Sequence, residues 1–181
     1  MEKSKYETCV LAGGCFWCME AVFQDIKGIV KVESGFSGGH VENPTYKEVC
    51  TGNTGHAESI RITFDPAIIS FSTILDIFFT MHDPTTPNRQ GEDIGTQYRS
   101  EVFYMDDDQK HTVENFIKNL EEKKVFKDPI VTKVEKFKAF YPAEDYHRNY
   151  YKNNSNQPYC KYVISPKVQK LKDHYSPILK S

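Results

Sequence analysis

The chain has 181 residues, 39% of them hydrophobic and 27% charged, with a formal net charge of −2. That length and composition fit one globular domain that buries a core without disulfide staples. The near-neutral balance gives no electrostatic footprint for nucleic acid or an anionic membrane, and no apolar run approaches the roughly 20 residues of a membrane span.

The N-terminal stretch MEKSKYETCV has no apolar signal-peptide core, so a reducing, cytoplasmic setting is expected. Residues 6–12 (YETCVLA) read as a short strand that Gly13-Gly14 breaks. From 15 to 26, Trp17, Ala21 and Phe23 recur at helical spacing. Residues 29–36 read as a second strand, leading into the loop SGGHVENPTY. Residues 57–65 (AESIRITFD) alternate apolar and polar, as a half-buried strand does. Ser70 or Ser72 can cap a helix running to Met81. A strand over 100–105 precedes a helix over 107–124, with Val113, Phe116, Ile117 and Leu120 on one face. Residues 130–140 predict another strand, and Pro142 opens a Tyr-rich helical stretch, AEDYHRNYYK. From Asn153 onward the chain reads as a long irregular tail, apart from YVI and a short helix after Pro166. The order to residue 105 is β-α-β-β-α-β, which predicts an α+β fold: a ferredoxin-like, split-βαβ sheet with helices packed on it, in a single catalytic domain over 1–181. The stretch 82–99 (HDPTTPNRQGEDIGTQYR) is too long for a mere connection and is rich in groups a site can use.

The five cysteines lie at 9, 15, 18, 50 and 160. An odd count in such a chain argues against a disulfide framework and leaves packing, metal binding or redox chemistry. Cys15 follows a strand and a Gly-Gly step and opens a helix, where unpaired N–H groups and the positive dipole end favour a thiolate. The dipole lowers a thiol pKa by up to about 0.7 unit, a modest help. Cys15 is thus either a small buried hydrophobe or a reactive thiol. Its CxxC spacing with Cys18 suits a dithiol redox pair or half a zinc site, and no second close-spaced pair completes the latter.

In AESIRITFD, Glu58 shares parity with Ile60, Ile62 and Phe64, the residues that must face the core. It is either a frayed strand end that reaches water or an inward carboxylic acid. An inward carboxyl needs a partner or a raised pKa, and the latter suits proton donation. Holding a Glu neutral at pH 7.4 requires roughly 4 kcal/mol.

The segments GGCFWCME (13–20), NPTYKEVCTGNTGHAE (43–58), HDPTTPNRQGEDIGTQYRS (82–100) and FYPAEDYHRNYY (140–151) closely resemble the A type of peptide methionine sulfoxide reductase. The resemblance implies that Cys15 attacks the sulfoxide sulfur and that Phe16 and Trp17 line an apolar pocket for the S-methyl group. It implies that Glu58 protonates or hydrogen-bonds the sulfoxide oxygen, that Tyr46 and Tyr98 help hold it, and that Asp93 lines the same pocket. His147 falls inside a matching segment and is read as a structural, hydrogen-bonding histidine. The resemblance further implies methionine S-sulfoxide, free or in oxidised proteins, as substrate. Cys15 would then become a sulfenic acid, with thioredoxin as reductant and no cofactor.

Many members of that family have Gly where this chain has Cys18. Two resolving thiols are therefore in play: Cys18, one helical turn from Cys15, and Cys160, in a Pro- and Asn-flanked tail that can swing over the site. The reading leans slightly to Cys160, with a relay through both left open. Cys9 and Cys50 are read as structural thiols. Two other functions share the cysteines: a general dithiol–disulfide exchanger and a non-catalytic zinc or packing module. Neither needs the parity of Glu58 or the tyrosine-bearing loops.

Overall fold

A computed structural model describes residues 5–180; the first four residues of the N-terminal stretch and Ser181 lie outside the described residues. Four strands carry the molecule: β1 (Glu7–Gly13), β2 (Ile29–Ser37), β3 (Ala57–Phe64) and, after two short strands, β6 (Ser100–Tyr104). The two short strands, β4 (Arg89–Gln90) and β5 (Asp93–Ile94), form a separate hairpin. β7 (Lys133–Lys136) and β8 (Phe140–Pro142) complete a six-stranded sheet of order β7-β6-β1-β3-β2-β8. All neighbours are antiparallel except β6 and β7. The helices are α1 (Phe16–Phe23), α2 (Tyr46–Cys50), α3 (Phe71–Met81), α4 (Asp107–Glu122), α5 (Tyr150–Asn153) and α6 (Ser165–Tyr175). The fold is mixed α+β.

Strand alternation builds the core. Cys9 and Leu11 of β1, Ile60, Ile62 and Phe64 of β3, and Val102 of β6 project to one face. There they meet Phe16, Met19 and Phe23 of α1 and Ile74, Ile77 and Phe78 of α3. The opposite face carries Val10, Ala12, Ala57 and Phe103, covered by Phe137 and Phe140. Ser70 is the cap of α3, its hydroxyl accepting the Thr73 amide at 3.1 Å. No helix among the described residues is long and apolar enough to cross a membrane.

The C-terminal third departs from the sequence expectation. The strand expected over 130–140 forms only as β7, and the chain then crosses to the opposite edge of the sheet as β8. The Tyr-rich stretch is not one helix: Asn149 takes a left-handed backbone (φ 52°) and splits it into a 3-10 turn, Asp145–His147, and the four-residue α5. In the tail, the short helix expected after Pro166 forms as α6, but the stretch before it is not irregular. Cys160–Ile164 form a π-helical turn that runs directly into α6. Ile164, Val168, Leu171 and Tyr175 recur at helical spacing and pack inward, and Pro166, which has no N–H to give the run, stands just after the π-helical turn. Beyond α6, Leu179 pairs with Ile26, which ties this segment to the turn between α1 and β2.

Two polar ties set the loops around the site. Arg99 is buried and donates to Glu101 Oε1 (2.7 Å), to the Thr96 carbonyl (3.0 Å) and to the Gly55 carbonyl (2.9 Å). It thereby clamps the turn bearing Tyr98 to the loop that leads into Glu58. The His56 ring accepts the Gly39 amide at Nδ1 (3.0 Å) and reaches the Val41 carbonyl (2.6 Å), holding the long loop after β2.

Candidate active site

Cys15 is the N-cap of α1, with extended backbone (φ −62°, ψ 127°), and its carbonyl accepts the amides of Cys18 (3.1 Å) and Met19 (3.4 Å). Gly14 makes this entry possible. Its φ is +91°, and a Cβ there would fall 2.5 Å from the Gln90 side chain. The bend turns Cys15 away from the sheet toward the tail, where Cys15, Cys18, Ala21, Cys160 and Ile164 form a small buried cluster beside Trp17, Tyr98, Tyr150 and Tyr159. Every cysteine among the described residues is free.

Glu58 points inward, as its parity requires, and is 1% exposed. It is not a frayed end. Its Oε1 accepts the Phe16 amide at 3.2 Å, one of the unpaired donors at the start of α1. Its Oε2 has no protein partner. Burial pushes the carboxyl up to about 8, with Asp93 and Cys18 adding to the rise against the Phe16 amide. Glu58 is therefore mostly neutral at pH 7.

The thiols of Cys15 and Cys18 hydrogen-bond each other and titrate as a pair. Cys18 is pulled down to about 7, chiefly by the Cys15 thiol and further by Lys167 and Tyr159, against the effect of its own burial. Cys15 is pushed up, first by burial and then by Cys18 and Glu58. Burial thus outweighs the modest help expected from the helix start. The pair instead releases one proton near neutrality, and the remaining proton bridges two sulfurs.

The other expected residues converge on these groups. Phe16 is fully buried and packs on Tyr46, with ring centroids 5.9 Å apart. Trp17 is half-buried, stacks on Tyr150 at 3.8 Å and 9°, and donates its indole N–H to His147 Nδ1 at 2.9 Å. Tyr46 opens α2, capped by a reciprocal pair in which Thr45 and Glu48 satisfy each other's amides. Tyr46 and Tyr98 are pushed up by burial and next by Glu58, so both hydroxyls stay protonated donors beside it. Asp93, on the β4–β5 hairpin, accepts the Tyr159 hydroxyl at 2.6 Å. Cys160 is fully buried, and its thiol is raised by burial and then by Cys18.

Cys9 lies in the core, whereas Cys50, also read as a structural thiol, is exposed at the end of α2. Four participants were not anticipated. The Tyr159 hydroxyl lies 3.7 Å from Cys18 Sγ and 2.6 Å from Asp93. Lys167 supplies positive charge to Cys18. Tyr150 covers the indole face, and Glu20 takes the amides of Asn149 and Tyr150 at the start of α5. Only Tyr159 had a visible signal, its place next to Cys160. Among the described residues, no three His, Cys, Asp or Glu side chains are grouped to hold a metal ion.

A free dithiol at a helix start, facing a neutral buried carboxyl inside an aromatic wall, is equipped to attack a polarised group and protonate what leaves. The model of the family described as peptide methionine sulfoxide reductase matches residues 7–178. The chain belongs to the peptide methionine sulfoxide reductase family. It is similar to the peptide methionine sulfoxide reductase MsrA of Chromobacterium violaceum, 49% identical over 97% of this chain and 99% of that one. The MsrA of Deinococcus radiodurans is 55% identical over 96% and 84%. Among solved structures, Mxr1 of Saccharomyces cerevisiae in reduced form superposes with a TM-score of 0.81 at 34% identity, covering 88% of this chain and 91% of that one. In this reductase the residues brought together are thus Cys15, Cys18, Cys160, Phe16, Trp17, Tyr46, Glu58, Asp93 and Tyr98, all those the sequence singled out for the site.

Proposed function

We propose that the chain reduces methionine S-sulfoxide, free or in oxidised proteins, by thiol chemistry at Cys15. The observation that carries this is Glu58, a buried carboxyl raised to about 8 beside a cysteine pair that ionises near 7. A thiolate is the soft nucleophile that sulfur accepts, and a neutral acid is what the poor leaving oxygen needs. The sulfoxide methyl sits against Phe16 and Trp17. The oxygen points to Glu58, with the hydroxyls of Tyr46 and Tyr98 as further donors to the developing charge. Asp93 lines the pocket and holds Tyr159.

The Cys15 thiolate attacks sulfur while Glu58 gives a proton to oxygen. Collapse releases methionine and leaves Cys15 as sulfenic acid. Cys18, already hydrogen-bonded to Cys15, displaces water and forms the Cys15–Cys18 disulfide. Cys160, held in the same cluster, attacks Cys18, frees Cys15 and carries the disulfide onto the tail, where a dithiol of the thioredoxin kind reduces it. A relay through both thiols thus replaces the slight preference for Cys160 as the direct partner. The S epimer is the substrate, since separate enzymes serve the two sulfoxide epimers.

The sheet is read as a ferredoxin-like, split-βαβ core within one catalytic domain over 1–181; the antiparallel run β6-β1-β3-β2 supports this. Free thiols suit a reducing, cytoplasmic setting. The test is a single turnover of methionine S-sulfoxide without reductant, followed by disulfide mapping in wild type, Cys15→Ser, Cys18→Ser and Cys160→Ser. The mechanism requires one equivalent of methionine from all but Cys15→Ser, and a Cys15–Cys18 bond in Cys160→Ser. No methionine from wild type overturns the function; a Cys15–Cys160 bond found in wild type, or forming in Cys18→Ser as fast as the Cys18–Cys160 bond forms in wild type, overturns the relay.

A further inference from the structure

Behind Trp17 lies a polar unit that no step above uses. His147 is 1% exposed and accepts the indole N–H at Nδ1. Burial lowers its pKa, so the ring is neutral. A neutral imidazole that accepts at one nitrogen carries its proton on the other, which makes Nε2–H a donor. That nitrogen has no protein partner, and neither do two other buried atoms, Glu20 Oε1 and Ser34 Oγ. All three residues line a single cavity of about 60 Å³. A buried polar atom without a partner costs about 1–3 kcal/mol, and a polar cavity of this size holds at least one water. Glu20 also reaches the other side of the indole. Its carboxyl takes the Asn149 and Tyr150 amides, and the Tyr150 ring stacks on Trp17.

We infer that His147, Glu20 and Ser34, bridged by water bound in this cavity, form a positioning unit that fixes the Trp17 indole, with His147 held in its Nε2–H tautomer. The unit rests on the reading of Trp17 as a wall of the methyl pocket. It governs how tightly substrate is held and takes no part in the chemical step.

Trp17 is the only tryptophan of the chain, so its emission reports the unit directly. Emission, KM, kcat and the alkylation rate of Cys15 are to be compared in wild type, His147→Phe, His147→Asn and Ser34→Val. His147→Phe keeps an aromatic ring but removes the acceptor; KM rises about fivefold to tenfold, the size of one lost hydrogen bond. Its kcat and Cys15 alkylation stay near wild type, and the emission shifts to the blue. His147→Asn places an oxygen where Nδ1 stood and restores most of both changes. Ser34→Val displaces the water and gives a smaller shift of the same sign. Unchanged emission in His147→Phe, no rescue by His147→Asn, or unchanged emission in Ser34→Val overturns the unit. Should His147→Phe fail to fold, His147→Asn and Ser34→Val decide. A shifted emission with unchanged KM upholds the unit and overturns the methyl-pocket reading of Trp17.

Discussion

Replacing Glu58 by Gln removes a titrating proton and almost no volume, and the structure gives its effects on rate and on stability opposite signs. The carboxyl is raised from 4.5 to about 8, which amounts to about 5 kcal/mol of preference for the neutral form. At pH 7 roughly nine-tenths of the native molecules carry the proton. Because the folded value lies above the unfolded one, the native state holds a proton that the unfolded chain has released. The stability this contributes is complete below about 4.5 and is lost as pH rises to about 8. Gln is neutral throughout and escapes the loss. The stability of Glu58→Gln minus that of wild type should therefore increase by up to about 5 kcal/mol from pH 4 to pH 9. Glu20 and Glu101, also raised to about 7, titrate in both proteins and cancel in that difference. The rate moves the other way: loss of the acid lowers the single-turnover rate by about 10²–10⁴-fold. The wild-type decline above pH 8 disappears with it, while the rise through about 7 from the cysteine pair stays. Urea unfolding at pH 4 and 9, with methionine release by rapid quench from pH 5 to 10, measures both. A stability difference that does not change with pH, or a variant that keeps the wild-type alkaline decline, refutes the reasoning.

Three further outcomes are expected. In Cys18→Ser, Cys15 loses a neighbour that raises its thiol while burial and Glu58 still hold it up, so its alkylation at pH 7, followed by mass spectrometry, quickens by up to about tenfold; an unchanged rate means that Cys18 does not set the ionisation of Cys15. In Tyr159→Phe the hydroxyl that lowers both thiols is gone, and the alkylation midpoint moves up by as much as about one unit, with Asp93 left without its donor; a midpoint that stays near 7 removes Tyr159 from the thiol network. In Thr45→Ala the reciprocal cap of α2 is broken, which costs about 1 kcal/mol in urea unfolding and loosens Tyr46; an equal midpoint means the cap is idle.

Part of what meets at the thiol was legible because chemistry constrains it locally, whereas Tyr46, Tyr98 and Asp93 came from the family resemblance. The Gly-Gly step, the cysteine at a helix start and the parity of Glu58 can each be read within a few residues. The tail was legible only in part. Its apolar residues Ile164, Val168, Leu171 and Tyr175 have helical spacing, but the π-helical turn before them and the flanking Asn and Pro residues interrupt the pattern. β7 and β8 could not be separated in the sequence, because what divides residues 130–140 is the opposite edge of the sheet, a partner far along the chain. The acidity of the cysteine pair lay out of reach for a similar reason. Its chief cause, the Cys15 thiol beside Cys18, is local, but burial, Lys167 and Tyr159 also set it, and none of these is near in sequence.

Both outer strands of the sheet come from one short piece of chain, Lys133–Lys136 on one side and Phe140–Pro142 on the other. During synthesis, the four inner strands are complete at Tyr104, yet one flank stays open until Lys136 and the other until Pro142 has left the ribosome. Open flanks are templates for pairing with a neighbouring chain. A nascent or truncated product ending between these points is thus the form most open to pairing with another chain. Once the segment is laid down, both vulnerable flanks close within ten residues, under strands too short and too rich in lysine and proline to recruit another copy.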